Sequence, residues 1–220
     1  MLSQTEENYL KALFHITEEA QEKTGAGTNE LAATLDVKPA TANDMLKKLK
    51  EKKLIIYEKY KKITLTEPGK KQAINIIRKH RLWETFLYEK LQFTWDEVHE
   101  VAEQLEHIHS PKLIAQLEKF LGYPEFDPHG DAIPNAQGVL KRSVRYTLSQ
   151  VEIGKTCKLV AVRDNSASFL QFVVKVGLGL SSKIKIISRQ EFDGSMEIDV
   201  RGKKSIVSQK FADNVFVSVV

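Results

Sequence analysis

The sequence predicts a mainly α-helical N-terminal part, opening with a winged helix-turn-helix, followed by a β-rich C-terminal domain. Three observations support this fold class. Apolar residues recur at helical spacing as far as about residue 120, with Ser, Thr and Pro at the expected helix starts. A segment punctuated by Pro and Gly, residues 122–138, then interrupts this pattern. Beyond it the apolar residues form short strand-like runs, as in a small barrel-like domain.

The first three predicted helices are short and have recognisable starts. Residues 3–6 (Ser-Gln-Thr-Glu) form a capping box that opens the first helix. Thr28 can cap the second helix, residues 36–38 form a tight turn, and Pro39 suits the first turn of the third helix. Helix, tight turn and helix in this order predict a helix-turn-helix unit.

A hairpin and a long helix follow. The β-like runs 54–57 and 63–65 flank a cationic tip at residues 58–62, which predicts the wing of a winged helix. Thr66 and Pro68 then start a helix that extends to about residue 91.

The remaining elements divide into two helices and a β-rich tail. We expect a helix from the capping box at residues 94–97 to Ser110, and a second one from Ser110 to Gly122. The strand-like runs are 158–162, 183–187, 196–200 and 215–219, with a short helix over the apolar stretch 169–176. We therefore predict three domains, with residues 1–72 as the winged helix, 73–138 as a helical domain and 139–220 as the β-rich domain.

Composition favours a protein that works in the cytoplasm. No apolar run is long enough to span a bilayer, and the polar start has no signal-peptide core, so we expect no membrane partner. The single cysteine, Cys157, cannot form an internal disulfide, which fits a reducing compartment. Residues 47–71 contain ten lysines and three acids, whereas residues 73–138 contain six basic and eleven acidic residues and five of the six histidines. This contrast suggests a DNA-binding part beside a metal-binding part, although solvated helix faces would give the same contrast.

The third helix and the wing hold the candidate DNA contacts. In a winged helix-turn-helix the N-terminal residues of the second helix of the motif face base edges, while wing and helix lysines meet phosphates. Tyr57 and Tyr60 could lie against the sugar-phosphate backbone, and Asp44 is either repelled by phosphates or accepts from a cytosine amino group. A winged helix used for protein contacts is the alternative. The candidates are Lys38, Pro39, Ala40, Thr41, Asn43, Asp44, Lys47, Lys48, Tyr57, Lys59, Tyr60, Lys61 and Lys62.

Imidazoles and carboxylates are spaced for a metal site in the helical domain. His99, Glu103, Glu106 and His107 fall at i, i+4, i+7 and i+8, so they would share one helix face. His80 and Glu84 form a similar pair on the preceding helix. These donors, without thiolates, suit manganese, iron(II), cobalt or zinc. The alternative is the solvated face of an acidic helix.

The whole chain resembles the diphtheria-toxin-repressor and manganese-transport-regulator family of metal-dependent repressors. The matching segments are Thr5-Glu6-Glu7-Asn8-Tyr9-Leu10, the wing at 54–65, Arg78-Lys79-His80-Arg81-Leu82, His99 with residues 103–107, and residues 127–134. The resemblance implies a helical dimerisation domain and a C-terminal SH3-like domain of the ferrous-transport-accessory (FeoA) type. It also implies that His80, Glu103, Glu106 and His107 bind the regulatory metal, with the glutamate at 103 favouring manganese over iron.

The first helix departs from the family pattern at two positions. Asn8 stands where the family usually has Asp or Met, and Lys11 where one branch has a Glu ligand. Asn8 offers only a neutral carbonyl, and a charged lysine cannot bind a cation. These changes would weaken the site, alter its metal or remove the link between the first helix and the metal.

Some family members have a second metal site in the linker. Here the resemblance implies a residue like Glu84, the motif Asp127-Pro128-His129, in which an oxygen replaces the usual cysteine sulfur, and Asp164 from the SH3-like domain. Other members use His99 with His80 and Glu84 instead.

The residues and the resemblance together predict a metal-dependent transcriptional repressor of metal-homeostasis genes. It would bind a double-stranded DNA operator as a homodimer, with Mn(II) favoured and Fe(II) next. One rival is a metal-independent winged-helix regulator that has lost its switch. Another is a metallohydrolase using Glu103, Glu106 and His107, but the sequence has no His-Glu-x-x-His motif or evident activated nucleophile, so we expect no enzyme activity.

Overall fold

A computed structural model describes residues 2–19, 25–57, 62–140, 146–164, 166–179 and 182–219. The chain divides into two compact units. The first unit contains residues 1–80, 104–111 and 134–139, and the second contains residues 81–103, 112–133 and 140–220. This division groups the residues differently from the three predicted domains, whose boundaries stay a prediction.

The first unit begins with the predicted helix-turn-helix and wing. Its elements are α1 (Gln4–Phe14), a π-helical turn (His15–Glu19), α2 (Thr28–Thr34), α3 (Pro39–Glu51), β1 (Ile55–Ile56) and β2 (Thr64–Leu65). The predicted capping box is present, because Glu6 N donates to Ser3 Oγ and Ser3 N donates to Glu6 Oε2. The strands β1 and β2 pair antiparallel, as a wing requires. The core of this unit includes Leu10, Leu13, Leu31, Leu46, Leu49 and Ile63, each fully buried.

Three helices follow the wing. They are α4 (Glu67–Leu91), α5 (Val98–Leu105) and α6 (Pro111–Phe120). Thr66 caps α4 as predicted, because its Oγ1 accepts from Gly69 N at 3.2 Å. The predicted α5 was too long. In the predicted capping box, Thr94 N donates to Glu97 Oε2 at 2.8 Å. Residues 95–97 nevertheless form a turn, and the helix spans Val98–Leu105.

An antiparallel sheet dominates the second unit. Its six described strands follow the order β3-β8-β4-β5-β6-β7. They are β3 (Tyr146–Thr147), β4 (Thr156–Val162), β5 (Lys183–Arg189), β6 (Met196–Val200), β7 (Lys203–Val207) and β8 (Val215–Val219), with α7 (Ala167–Lys175) after β4 and α8 (Gln209–Asp213) before β8. The sequence did not predict β3, β7 or α8. Two irregularities in strand register, at 159–161 in β4 and 186–188 in β5, bend the sheet.

The core of the second unit lies on one face of this sheet. Leu159, Ile184, Ile198 and Val217 project into it from four strands, and Leu170 of α7 closes it. Trp95, from the turn before α5, belongs to the same cluster. Within the part of the chain described, no helix combines the length and apolar character that crossing a bilayer requires.

Candidate functional site

The exposed face of α3 matches the predicted DNA-reading surface. Lys38 is the N-cap, Pro39 occupies the first turn, and Thr41 is exposed with them. Farther along, Lys47 Nζ donates to Asp44 Oδ1 at 2.9 Å, so part of the acidic charge of Asp44 is neutralised on the surface. The exposed candidates on this helix are Lys38, Pro39, Ala40, Thr41, Asp44, Lys47 and Lys48.

Tyr57 is buried, and its hydroxyl donates to Asn43 Oδ1 at 2.6 Å. This hydrogen bond holds Asn43 on α3, and a contact of Tyr57 with the DNA backbone stays a prediction. In the wing, Lys62 is exposed, whereas the candidates Lys59, Tyr60 and Lys61 lie outside the described residues.

A charged cluster in the first unit links α1 to the segment after α5. We call Glu7, Lys11, His80, Glu106 and His107 the Lys11 cluster. Lys11 Nζ donates to Glu106 Oε2 at 2.7 Å and lies 3.3 Å from His80 Nδ1. His80 Nδ1 also lies 2.6 Å from the same carboxylate oxygen. The ammonium of Lys11 therefore lies between two side chains that the resemblance assigns to a metal.

His107 is engaged on the other side of this cluster. Its Nδ1 lies 2.5 Å from Glu7 Oε2, while Nε2 lies 3.9 Å from Glu106 Oε1. The prediction of one shared helix face is wrong for Glu106 and His107, because α5 ends at Leu105 and both residues lie in the following turn. Glu103 remains on α5, where its Oε1 lies 3.5 Å from His99 Nε2.

Charges in the Lys11 cluster are balanced by protein groups. Although burial alone would raise the pKa of Glu106, the hydrogen bond from His80 and the charge of Lys11 lower it. Lys79 is buried nearby: burial lowers its pKa, and the charges of Glu7 and Glu106 oppose that effect. The two carboxylates thus face two lysines. Two buried oxygens, Asn8 Oδ1 and Glu106 Oε1, have no hydrogen-bond partner among the described residues.

A second cluster, in the second unit, has the opposite charge balance. Glu84, Asp127 and His129 are all buried, and each offers one ligand atom within 4.8 Å of the others. We call them the Asp127 cluster. Arg81 lies beside it, with Nε 3.6 Å from Asp127 Oδ2. His99 Nδ1 lies 3.1 Å from Glu84 Oε1 at the edge of the cluster.

His129 is oriented as a metal-binding histidine would be. Its Nε2 lies 3.1 Å from the carbonyl oxygen of Trp95, and its ring stacks on the indole at an interplanar angle of 20°. Because the carbonyl can only accept, Nε2 carries the proton and Nδ1 keeps its lone pair in the neutral ring. Nδ1 is buried, lies 3.6 Å from Glu84 Oε1 and has no hydrogen-bond partner among the described residues.

The electrostatics of the Asp127 cluster show an unneutralised excess of acid. Burial beside Asp131 and Glu84 raises the pKa of Asp127 to about 8. Burial opposes a charge on the His129 ring, yet the nearby carboxylate of Glu84 raises the pKa of His129 to about 9. The raised pKa values favour a proton on each side chain where carboxylates crowd together, and a cation could replace those protons.

The turn that carries Asp127 and His129 is fixed by its own backbone. Asp127 Oδ1 accepts from the backbone N of His129 at 2.8 Å and of Asp131 at 2.9 Å. Val162 N of β4 donates to the His129 carbonyl oxygen at 3.0 Å. Gly130 has φ +85°, and a Cβ there would lie 1.8 Å from Val160 O. The sequence did not reveal the close approach of Gly130 to β4 or the contact of Trp95 with His129, although Gly130 directly follows the Asp127-Pro128-His129 motif.

Asp164, the expected last ligand of this second site, is not part of the group that the structure assembles. Its Oδ1 instead accepts from Ser166 N at 2.9 Å, ahead of α7. The carboxylate therefore serves a turn before a helix, which is a common role for Asp.

Three family models match successive parts of the chain. The N-terminal DNA-binding domain of the iron-dependent repressors matches residues 1–63. The metal-binding and dimerisation domain of the same repressors matches residues 66–135, and the FeoA domain matches residues 146–219.

Individual proteins are similar to parts of the chain or to nearly all of it. The chain is 32% identical over 133 residues to the iron-dependent repressor IdeR of Mycobacterium tuberculosis, which is 60% of this chain and 56% of that protein. It is 41% identical over 71 residues to a probable metal transport system membrane protein of Chlamydia trachomatis, covering 32% of this chain and 16% of that protein. Among solved structures, a manganese-dependent transcriptional repressor in complex with manganese superposes with a TM-score of 0.84 and 32% identity, covering 98% of this chain and 100% of the other.

Proposed function

Because the chain belongs to the iron-dependent repressor family, we propose that it is a metal-dependent transcriptional repressor that binds operator DNA as a homodimer. The observation that carries the metal dependence is the buried His129 Nδ1, which has no hydrogen-bond partner among the described residues and lies 3.6 Å from Glu84 Oε1, beside the buried Asp127 carboxyl. The proposed activity is regulated binding, not catalysis, and its place is the cytoplasm. The proposed targets are genes of metal homeostasis.

The Asp127 cluster fits a first-row divalent ion. Asp127, Glu84 and His129 would supply two carboxylates and one imidazole, with His99 at the edge. Imidazole and carboxylate donors without thiolate suit Mn(II) and Fe(II), and we favour Mn(II) because the donor set is rich in oxygen. The bound ion would neutralise the acidic charge that now holds protons on Asp127 and His129.

The Lys11 cluster does not fit a divalent ion in the same way. Lys11 donates to Glu106 Oε2 at 2.7 Å, and Glu7 Oε2 lies 2.5 Å from His107 Nδ1, so protein groups engage one donor atom of each residue, while Glu106 Oε1 and Asn8 Oδ1 have no hydrogen-bond partner among the described residues. We therefore assign the regulatory ion to the Asp127 cluster and route no metal-dependent step through Glu106, His107 or Asn8.

DNA recognition is assigned to α3 and the wing. The exposed N-terminal turn of α3, with Lys38 and Thr41, would face base edges. Lys47, Lys48 and Lys62 would contact phosphates, which gives affinity without sequence preference. Metal binding would favour the DNA-binding arrangement of the homodimer by about 1–3 kcal/mol, or roughly 5- to 150-fold in affinity.

The test is DNA affinity measured with and without Mn(II). A fluorescent duplex selected from a random pool in Mn(II) is titrated with the full chain, and anisotropy gives the dissociation constant. We expect chelation to weaken binding at least about fivefold. Asp127→Asn should bind DNA equally weakly with and without the metal, whereas the matched surface variant Asp193→Asn should keep the full response. Equal affinity of the unmodified chain in Mn(II) and in chelator would refute the proposal.

A further inference from the structure

Lys11 brings a positive charge of the protein itself to a place where the family has a metal. Its Nζ lies 2.7 Å from Glu106 Oε2 and 3.3 Å from His80 Nδ1. Glu106 is fully buried, and the Lys11 side chain is only 10% exposed. The ammonium is therefore held inside the fold and does not extend from a surface.

Protein groups engage Glu106 Oε2 and His107 Nδ1, while Glu106 Oε1 has no hydrogen-bond partner among the described residues. Glu106 Oε2 accepts from Lys11, and the 2.6 Å contact with His80 Nδ1 uses the nitrogen proton of the ring. Glu7 similarly occupies His107 Nδ1. An arriving divalent ion would have to displace the Lys11 ammonium from Glu106, and the two positive charges would repel each other in a buried setting.

We propose that Lys11 is a built-in cation that replaces the metal at this position, so that α1 is fastened to the segment 104–111 whether or not metal is present. Asn8, which is neutral, fits this arrangement because no further negative charge is needed. If the proposed function is right, the chain then takes a single regulatory divalent ion per protomer, at the Asp127 cluster.

The permanent link reaches the DNA-reading helix through α1. Lys52, the C-cap of α3, donates to Glu6 Oε1 at 2.6 Å. Glu6 precedes Glu7 by one residue, and Lys11 lies one turn farther along the same helix. Fixing Lys11 on Glu106 therefore fixes the helix that holds the end of α3.

The decisive experiment counts ions bound by the full chain. Purified protein is dialysed to equilibrium against Mn(II) alone, and bound manganese per protomer is measured by mass spectrometry. We expect one ion for the unmodified chain and two for Lys11→Glu, because the new carboxylate both removes the ammonium and adds a ligand. The double variant Lys11→Glu with Asp127→Asn should return to one.

Glu106→Gln provides a second test in case Lys11→Glu does not fold. If Lys11 is the cation, Glu106→Gln keeps one manganese ion per protomer and only lowers the thermal midpoint of the metal-free chain. Loss of an ion in Glu106→Gln, or two ions in the unmodified chain, would overturn the proposal, as would a folded Lys11→Glu that still binds one. If the unmodified chain binds no manganese ion, the proposed function is refuted instead. In that case, one manganese ion bound by Lys11→Glu would still support a built-in cation.

Thermal unfolding supplies a second readout. Metal-free Lys11→Glu should unfold at a lower temperature than the unmodified chain, because two carboxylates then face each other in a buried place. Mn(II) should restore its midpoint. Lys11→Leu removes the charge without adding a ligand, so Mn(II) should raise its midpoint less than that of Lys11→Glu. A folded Lys11→Glu whose midpoint responds to Mn(II) no more than that of the unmodified chain would contradict the replacement of a metal by Lys11.

Discussion

Manganese binding at the Asp127 cluster should depend steeply on pH. In the metal-free fold, burial beside Asp131 and Glu84 raises the pKa of Asp127 to about 8, and Glu84 raises that of His129 to about 9 against the effect of burial. A metal ion needs both groups without their protons. Binding should therefore release two protons below about pH 8 and one proton between about pH 8 and 9.

The magnitude follows from this proton count. Each released proton changes the apparent affinity about tenfold per pH unit, so the dissociation constant for Mn(II) should fall about 100-fold between pH 6.5 and 7.5. Because the two groups interact, the protons belong to the pair and not to either residue alone. The ordinary pKa values, 3.8 for Asp and 6.5 for His, would give less than one proton over that interval.

The free energy of unfolding of the metal-free chain should fall as pH rises, whereas the affinity for Mn(II) should rise. Both pKa values are raised by folding, so the native state binds more protons than the unfolded chain. Stability should fall as pH rises from 3.8 to about 8 through Asp127, and from 6.5 to about 9 through His129. Stabilisation of the fold by Mn(II) should accordingly grow towards alkaline pH.

The electron paramagnetic resonance signal of free Mn(II) gives the dissociation constant. It is measured under anaerobic conditions between pH 6.5 and 8. Calorimetry in two buffers of different ionisation enthalpy counts the released protons independently. The surface variant Asp193→Asn should reproduce the slope of the unmodified chain. A dissociation constant that changes less than about tenfold over one pH unit would show that Asp127 and His129 are not both protonated, and the electrostatic reasoning would be wrong.

Three further substitutions test separate parts of the structure. Gly130→Ala should lower the thermal midpoint far more than Gly154→Ala. Both glycines have positive φ, but only at Gly130 would a Cβ meet the backbone of β4, at 1.8 Å from Val160 O. Similar midpoints for the two variants would contradict the tight turn at Gly130. Tyr57→Phe should cost about 0.5–1.5 kcal/mol in denaturant unfolding through loss of its bond to Asn43, and no change would place the hydroxyl elsewhere. Lys48→Ala should weaken specific and random duplexes alike and reduce the salt slope by about one, whereas a sequence-selective loss would show a base contact.

The fold was predictable where local signals and burial agree. Thr66 and Pro68 start α4 at the expected place, and the apolar alternation of β4, β5, β6 and β8 marks buried strands. The edge strand β7 was missed because only its last residue, Val207, is buried, so its sequence does not alternate like that of a central strand. The length of α5 was overestimated because helical spacing continues past Leu105, where Glu106 turns into the interior.

The candidate site was predictable in its residue types but not in its pairings. The motif containing Asp127 and His129 drew attention to the linker, and the structure brings both residues to Glu84. The contact between Lys11 and Glu106 joins positions 95 residues apart, and no spacing rule operates at that separation. The sequence showed that a charged Lys11 cannot be a ligand, but only the three-dimensional structure places its ammonium 2.7 Å from Glu106 Oε2.

The two clusters differ in whether their charge is complete. In the Lys11 cluster a buried carboxylate oxygen, Glu106 Oε2, has an ammonium 2.7 Å away, so the chain itself supplies a cation beside the charge of Glu106. In the Asp127 cluster the acidic charge is met by protons, which a metal can exchange and an ammonium cannot. A link that must persist is best made by a charge covalently attached to the chain. A response to metal concentration requires a site whose cation can leave, and that is the property of the Asp127 cluster.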